Sequence, residues 1–103
     1  MVEHRLAAVV PAWNEAAAIG GVVRGLLAAG ACCVYVVDPG STDGTQDAAR
    51  EAGASVIEEP RRGYGQASLT GACAARGHGL IAFMDGDGSC DPADLPRLAA
   101  SAK

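Results

Sequence analysis

Short apolar runs alternate along the chain with amphipathic stretches and with polar breaks rich in Gly, Asp and Ser. Runs at Leu6–Val10, Val34–Asp38, Ser55–Glu58 and Leu80–Asp85, rich in Val, Ile, Leu or aromatic residues, predict strands. A helix is predicted over about Glu15–Ala29, where Ile19, Val22, Val23, Leu26 and Leu27 share one apolar face and Gly30 supplies a stop. A second helix should start after Gly40-Ser41-Thr42-Asp43-Gly44 and run to about Ala52, ended by Gly53. A third covers roughly Gln66–Ala75. It carries Gly71 in its interior, at a cost of about 1 kcal/mol relative to Ala, which marks close backbone packing. A fourth opens at Pro92, with Asp91 as its N-cap.

Strands alternating with helices imply right-handed crossovers and a parallel sheet with helices on both faces. The expected architecture is therefore α/β, one half of a doubly wound, Rossmann-like fold. In such sheets ligands gather beyond the carboxyl ends of the strands. The residues to inspect are then Pro11-Ala12-Trp13-Asn14-Glu15, Asp38-Pro39-Gly40-Ser41-Thr42-Asp43-Gly44-Thr45 and Asp85-Gly86-Asp87-Gly88-Ser89, which should open onto one crevice.

Composition narrows the functional classes. A chain of 103 residues, 50% apolar and 19% charged, suits one folded domain and excludes two. Its net charge of −4 argues against nucleic acid as a partner, because that affinity rests on Lys and Arg neutralising phosphates. A small anionic ligand stays open where a helix N-terminus, a few basic groups or a bound cation gives local help. The cysteines Cys32, Cys33, Cys73 and Cys90 lack zinc-site spacing and read as reduced, mostly packed thiols. Cys32 and Cys33 should begin a strand and point to opposite faces, so no shared metal role is expected of them. Leu6–Trp13 is too short for a secretion signal, and no stretch is long enough to span a bilayer.

Among the candidate residues, Asp38 ends the second strand, where an acid can accept a hydrogen bond from a ribose hydroxyl or a base N–H. The alternative for Asp38-Pro39-Gly40-Ser41 is a polar turn and helix cap, and Asn14 could equally cap the first helix. Asp85 and Asp87 stand one residue apart at the end of a buried strand, and their repulsion favours a bound cation or a proton. Such hard oxygen ligands suit Mg²⁺ or Mn²⁺ held together with substrate phosphates. An EF-hand calcium loop starting at Asp85 would need Gly where Cys90 stands and Glu where Pro96 stands. The loop Glu59-Pro60-Arg61-Arg62-Gly63-Tyr64-Gly65-Gln66 offers Arg61 or Arg62 to a diphosphate; the alternative is a pair of surface arginines in a turn. Neither a Walker phosphate loop nor a Gly-x-Gly-x-x-Gly helix start is present. His4 and His78 are given surface or packing roles, and Trp13 walls the crevice or packs locally.

Taken together, Val9-Val10-Pro11-Ala12-Trp13-Asn14-Glu15, Val36-Val37-Asp38-Pro39-Gly40-Ser41-Thr42-Asp43-Gly44-Thr45, Arg62-Gly63-Tyr64-Gly65 and Met84-Asp85-Gly86-Asp87-Gly88 resemble the family 2 glycosyltransferases. The resemblance runs over essentially the entire chain and is closest to the branch of dolichyl-phosphate mannosyltransferase and the polyprenyl-phosphate sugar transferases. It implies the N-terminal half of a GT-A fold, binding a nucleoside-diphosphate sugar and a divalent cation, Mg²⁺ or Mn²⁺. On that resemblance Pro11, Ala12, Glu15 and Asp38 line the nucleotide pocket and Arg62 approaches the diphosphate. Asp85 holds ribose or sugar and water on the metal, and Asp87 coordinates the cation directly. Two departures stand out: Pro39 replaces a common Asp or Asn, and Ser89 stands where some members of the lipid-phosphate branch carry Gln.

The resemblance also implies that the acceptor site and the catalytic base lie beyond Lys103. Residues 1–103 are therefore expected to be the donor-binding part of a longer enzyme, binding donor weakly and transferring sugar poorly when alone. The expected acceptor is polyprenyl phosphate or another molecule, with a cytoplasmic location, peripheral association with the inner face of the membrane, and a homo-oligomer left open. Two rival functions remain at this point. One is a noncatalytic nucleotide-binding or assembly module, and the other is a nucleotidyltransferase, which should carry a Gly-rich phosphate loop after the first strand.

Overall fold

The computed structural model describes residues 6–61, 70–71 and 80–84. Its elements are β1 (Leu6–Pro11), α1 (Ala16–Ala28), β2 (Cys33–Asp38), α2 (Thr45–Ala52), β3 (Ser55–Glu58) and β4 (Leu80–Phe83). The strands form one sheet in the order β3-β2-β1-β4, and every neighbouring pair is parallel. Placing β1 and β2 in the middle explains their composition. Leu6 through Val10 are all buried, as a strand covered on both faces requires, whereas edge strand β3 reads exposed, half-buried, half-buried, exposed.

The two faces are covered differently. On one, Ala8, Val10, Val34 and Val36 pack with Ile19, Val22, Val23 and Leu26 of α1 and Ala49 of α2. The i, i+3, i+4, i+7 spacing of the α1 residues puts all four on one stripe, so the helix buries its apolar face against the sheet. The opposite face carries Ala7, Val9 and Val37, flanked by Cys33, Tyr35, Ile57 and Ile81. Gly71, in a helical stretch with Thr70, sits against that face so closely that a Cβ on it would lie 2.1 Å from Val9 Cγ1. Both faces of the sheet thus carry helix, as the alternating pattern requires, and the interior glycine has a steric reason.

The helix ends follow from the sequence. Gly30 (φ +116°) and Gly53 (φ +111°) take left-handed backbone, letting Ala31 N–H reach Leu26 O and Ala54 N–H reach Ala49 O, each at 3.0 Å. Those bonds satisfy carbonyls that the helix would otherwise leave open and turn the chain back towards the next strand.

The strands at Leu6–Pro11, Cys33–Asp38, Ser55–Glu58 and Leu80–Phe83 match the predicted runs to within a residue or two. One expectation fails at the start of β2. Cys32 lies in a bend before the strand, with its N–H bonded to Leu6 O at 2.7 Å, so the alternation of a regular strand does not separate it from Cys33. The two Sγ atoms are 3.8 Å apart, and Cys32 is exposed and not packed. Among the described residues no helix is long and apolar enough to cross a membrane. The predicted helices over Gln66–Ala75, apart from Thr70 and Gly71, and from Pro92 onward lie outside the described residues.

Candidate functional site

Parallel pairing of β1 with β2 carries Pro11 level with Val37, so both chains leave the sheet at the same end. Ala12 N–H donates to Val37 O (2.9 Å), which continues the ladder one residue past β1. Pro11, Ala12 and Asp38 are thereby gathered at one edge. Met84 N–H donates to Val9 O (3.1 Å), so the chain leading towards Asp85 also emerges at this end.

Beyond the sheet the first two loops are laced together. Asn14 N–H donates to Ser41 Oγ (2.8 Å), and Thr42 N–H donates to Asn14 Oδ1 (3.0 Å). Glu15 N–H donates to Thr45 Oγ1 (2.8 Å), and Ala16 N–H donates to Asp43 Oδ2 (3.1 Å). Asp43 Oδ1 also accepts from Thr45 N–H (3.0 Å) and from the Thr45 hydroxyl. Asn14 therefore does not cap α1. Glu15 is the N-cap residue and gives no side-chain bond, while the free N–H groups of that helix are met by Thr45 and Asp43 from the neighbouring loop. One carboxylate thus serves the N-termini of both α1 and α2, where negative charge is favoured by the helix dipole. The Thr45 hydroxyl, chiefly, and the N–H groups of Ala16 and Thr45 hold the Asp43 carboxyl below its ordinary value, against some desolvation.

Asn14 accepts left-handed backbone (φ +53°), and its bonds to Ser41 and Thr42 hold it there. Beside it, Trp13 is half exposed at 50% despite its size. It therefore lies outside the core.

Asp38 is fully buried. Its Oδ1 accepts three bonds of 2.8 Å, from Gly40 N–H, Ser41 N–H and the Ser41 hydroxyl. Its Oδ2 is buried with no hydrogen-bond partner among the described residues. A turn role uses only one oxygen, and leaving the other dry and unmatched is costly for a carboxylate. The turn thus leaves the second oxygen unused.

Glu59, directly after β3, gives the contrast. Its N–H donates to Asp38 O (2.8 Å), and its buried carboxylate accepts from Arg61 N–H (3.0 Å), Arg61 Nε (2.9 Å), Arg61 Nη2 (2.9 Å) and Thr70 Oγ1 (2.7 Å). The Arg61 side chain, then Thr70 and the Arg61 N–H, bring the Glu59 carboxyl down to about 2. Arg61, offered by the sequence as a diphosphate contact, is instead engaged by Glu59, which raises the guanidinium's own value.

Of the expected site residues, Pro11, Ala12, Glu15 and Asp38 meet at the carboxyl end of the sheet. Arg62, Asp85 and Asp87 lie outside the described residues, as do Ser89, His4, His78, Cys73 and Cys90. Among the described residues no three His, Cys, Asp or Glu side chains converge as a metal site. The lacing by Ser41, Asp43 and Thr45 was visible in the sequence only as a run of capping residue types. Nothing in it said that they cap a helix nearly thirty positions earlier.

The family model described as glycosyl transferase family 2 matches residues 7–103. The chain belongs to glycosyl transferase family 2. An uncharacterized glycosyltransferase of Mycobacterium tuberculosis is 39% identical over 97% of this chain and 44% of its own length. The dodecaprenyl-phosphate galacturonate synthase of Rhizobium johnstonii is 38% identical over 92% of this chain and 31% of its own. Among solved structures, glucosyl-3-phosphoglycerate synthase from M. tuberculosis, in complex with Mn²⁺, UDP and glucosyl-3-phosphoglycerate, superposes with a TM-score of 0.74 at 28% identity, covering 90% of this chain and 37% of that one. The same enzyme is also known with Mg²⁺ and UDP. The chain thus spans less than half the length of these relatives. The fold is shared with these GT-A glycosyltransferases, and the resemblance to family 2 holds. The match to the polyprenyl-phosphate branch rests on the Rhizobium synthase and is looser.

Proposed function

We propose that this chain is the donor-binding part of a family 2 glycosyltransferase that takes a nucleoside-diphosphate sugar and a divalent cation and passes the sugar to an acceptor such as polyprenyl phosphate. The observation that carries the reading is Asp38: a buried carboxylate at the sheet's carboxyl end, one oxygen saturated and the other without a partner among the described residues. Its free oxygen accepts a base N–H or a ribose hydroxyl, and Pro11, Ala12 and Glu15 line the same edge. Arg62 contributes positive charge towards the diphosphate. UDP in the solved relative supports a nucleotide at this edge.

Asp85 and Asp87 are the residues proposed for the cation. They follow Met84, which the bond to Val9 holds at the same end of the sheet, and two carboxylates form the hard donor set that Mg²⁺ or Mn²⁺ takes. When bound, the cation neutralises charge on the departing diphosphate as a Lewis acid. The protein's own residues position the nucleotide: Asp38 fixes its orientation, and the laced Asn14–Ser41 and Glu15–Thr45 loops hold the pocket wall rigid beneath it. A longer chain supplying the acceptor site and base, a reducing cytoplasmic setting and contact with the inner membrane face belong to this same proposal.

The test is calorimetric titration of the 103-residue chain with UDP-, GDP- and dTDP-sugars, with and without Mn²⁺. The reading expects metal-dependent binding of one of these that Asp87→Ala removes. Metal-independent affinity unchanged in that variant would leave the chain as a noncatalytic nucleotide-binding module, and no binding at all would sink the proposal.

A further inference from the structure

At the opposite end of β2 from Asp38, Cys32 and Cys33 form a second cluster that the donor site does not use. Five residue steps of strand separate Cys33 from Asp38, or roughly 16 Å of extended chain, so the two regions are independent. The backbone around the pair is fixed: Cys32 N–H is bonded to Leu6 O, and Cys33 pairs in register with Ala7 of the buried central strand. The bend at Cys32 turns both thiols to the same side, with Sγ···Sγ at 3.8 Å. Cys32 is exposed and Cys33 half-buried, so a solute can reach them. The Cys33 thiol, two residues back along the strand, raises the pKa of the Tyr35 phenol.

That separation is chemically specific. With a metal–sulfur distance of about 2.3 Å and tetrahedral angles, two thiolates on one Zn²⁺-like ion stand about 3.8 Å apart. The pair therefore already has the bite of a dithiolate chelate and needs little rearrangement to close on an ion. Ligands held at this distance in advance spare the entropy that two free thiols would lose. We infer that Cys32 and Cys33 form a two-thiolate site for a soft, thiophilic cation of the Zn²⁺ or Cd²⁺ type, whose remaining positions are filled by external ligands. Softness selects the ion: sulfur prefers these cations over the Mg²⁺ or Mn²⁺ proposed for the donor site. Loading forms two metal–sulfur bonds and releases one proton from each thiol to solvent, with no change of oxidation state.

The test uses the reduced, metal-free 103-residue chain titrated with Cd²⁺ alone, followed by calorimetry and by the ultraviolet thiolate-to-cadmium charge-transfer band. The wild type should bind one equivalent. Removing one arm of a chelate costs its effective-concentration advantage, so Cys32→Ser should weaken binding by about 10²-fold or more. Cys32 is exposed, so this substitution leaves the core alone; Cys33→Ser should give the same loss, and the double variant Cys73→Ser/Cys90→Ser should keep both affinity and band. The inference is overturned if wild type shows no band, if Cys32→Ser binds as wild type does, or if the Cys73/Cys90 variant abolishes binding.

Discussion

Two buried carboxylates sit side by side at the end of this sheet, joined by the Glu59 N–H to Asp38 O bond, and they are finished in opposite ways. Glu59 has every acceptor direction taken by Arg61 and Thr70. Asp38 has one oxygen fully engaged by its own turn and the other left without a partner among the described residues. Burial alone does not separate a structural acid from a ligand-binding one; the unfilled oxygen does. Glu59 is a seat that ties the strand end to the Thr70–Gly71 helical stretch. Asp38 is a socket.

The largest expected effect breaks the seat by steric means. Gly71→Ala would drive a methyl group into Val9 and Val37 on the buried sheet face, and overpacking of this kind should cost about 3 kcal/mol in denaturant unfolding. A stability within error of wild type would mean that the helix is not seated there. Next comes the socket. Asp38→Asn keeps an acceptor for Gly40 and Ser41 but turns the free oxygen into a donor, so UDP affinity should fall about 10- to 100-fold, the worth of a hydrogen bond to a charged group. Its unfolding midpoint should move far less than that of Gly71→Ala.

Thr45→Val acts from the socket's side. Thr45 is fully buried, and losing its hydroxyl strands Glu15 N–H and one bond to Asp43, for about 1–2 kcal/mol of stability. Because this lacing lies under the Asp38 turn and not under Glu59, nucleotide affinity should weaken severalfold alongside it. The smallest effect is on pH dependence. Glu59 titrates near 2 in the fold against 4.5 normally, so the unfolded chain binds more protons between those values. Its stabilisation is complete above about pH 4.5 and is lost as pH falls towards 2, with Asp43 acting in the same direction. Glu59→Gln should flatten that acid limb in a pH series of denaturant melts without altering nucleotide affinity at neutral pH.

The sequence was most informative where one period governs a whole element. The near-continuous apolar run from Leu6 and the heptad-like spacing of Ile19, Val22, Val23 and Leu26 announced a doubly covered strand and the helix packed on it, and Gly30 and Gly53 announced the helix ends. Gly71 was legible too, since a helix former would have been cheaper there unless space forbade it. Contacts between distant segments were not. That Asp43 caps α1 as well as α2, and that Arg61 pairs with Glu59, depend on how the folded loops are brought together. Cys32 and Cys33 misled for a local reason: alternation holds only inside a strand, and one bend before β2 undoes it. The turn and socket readings of Asp38 were posed as alternatives, yet its two oxygens allow both at once.

Whether Asp38 Oδ2 is an acceptor reserved for a nucleotide is measured most directly by parallel calorimetric titration of UDP into wild type, Asp38→Asn and Glu59→Gln in the presence of Mn²⁺. A nucleotide role for Asp38 predicts weak, Mn²⁺-dependent binding that falls about 10- to 100-fold in Asp38→Asn alone, with Glu59→Gln matching wild type. Equal affinity in wild type and Asp38→Asn, both folded, would contradict it.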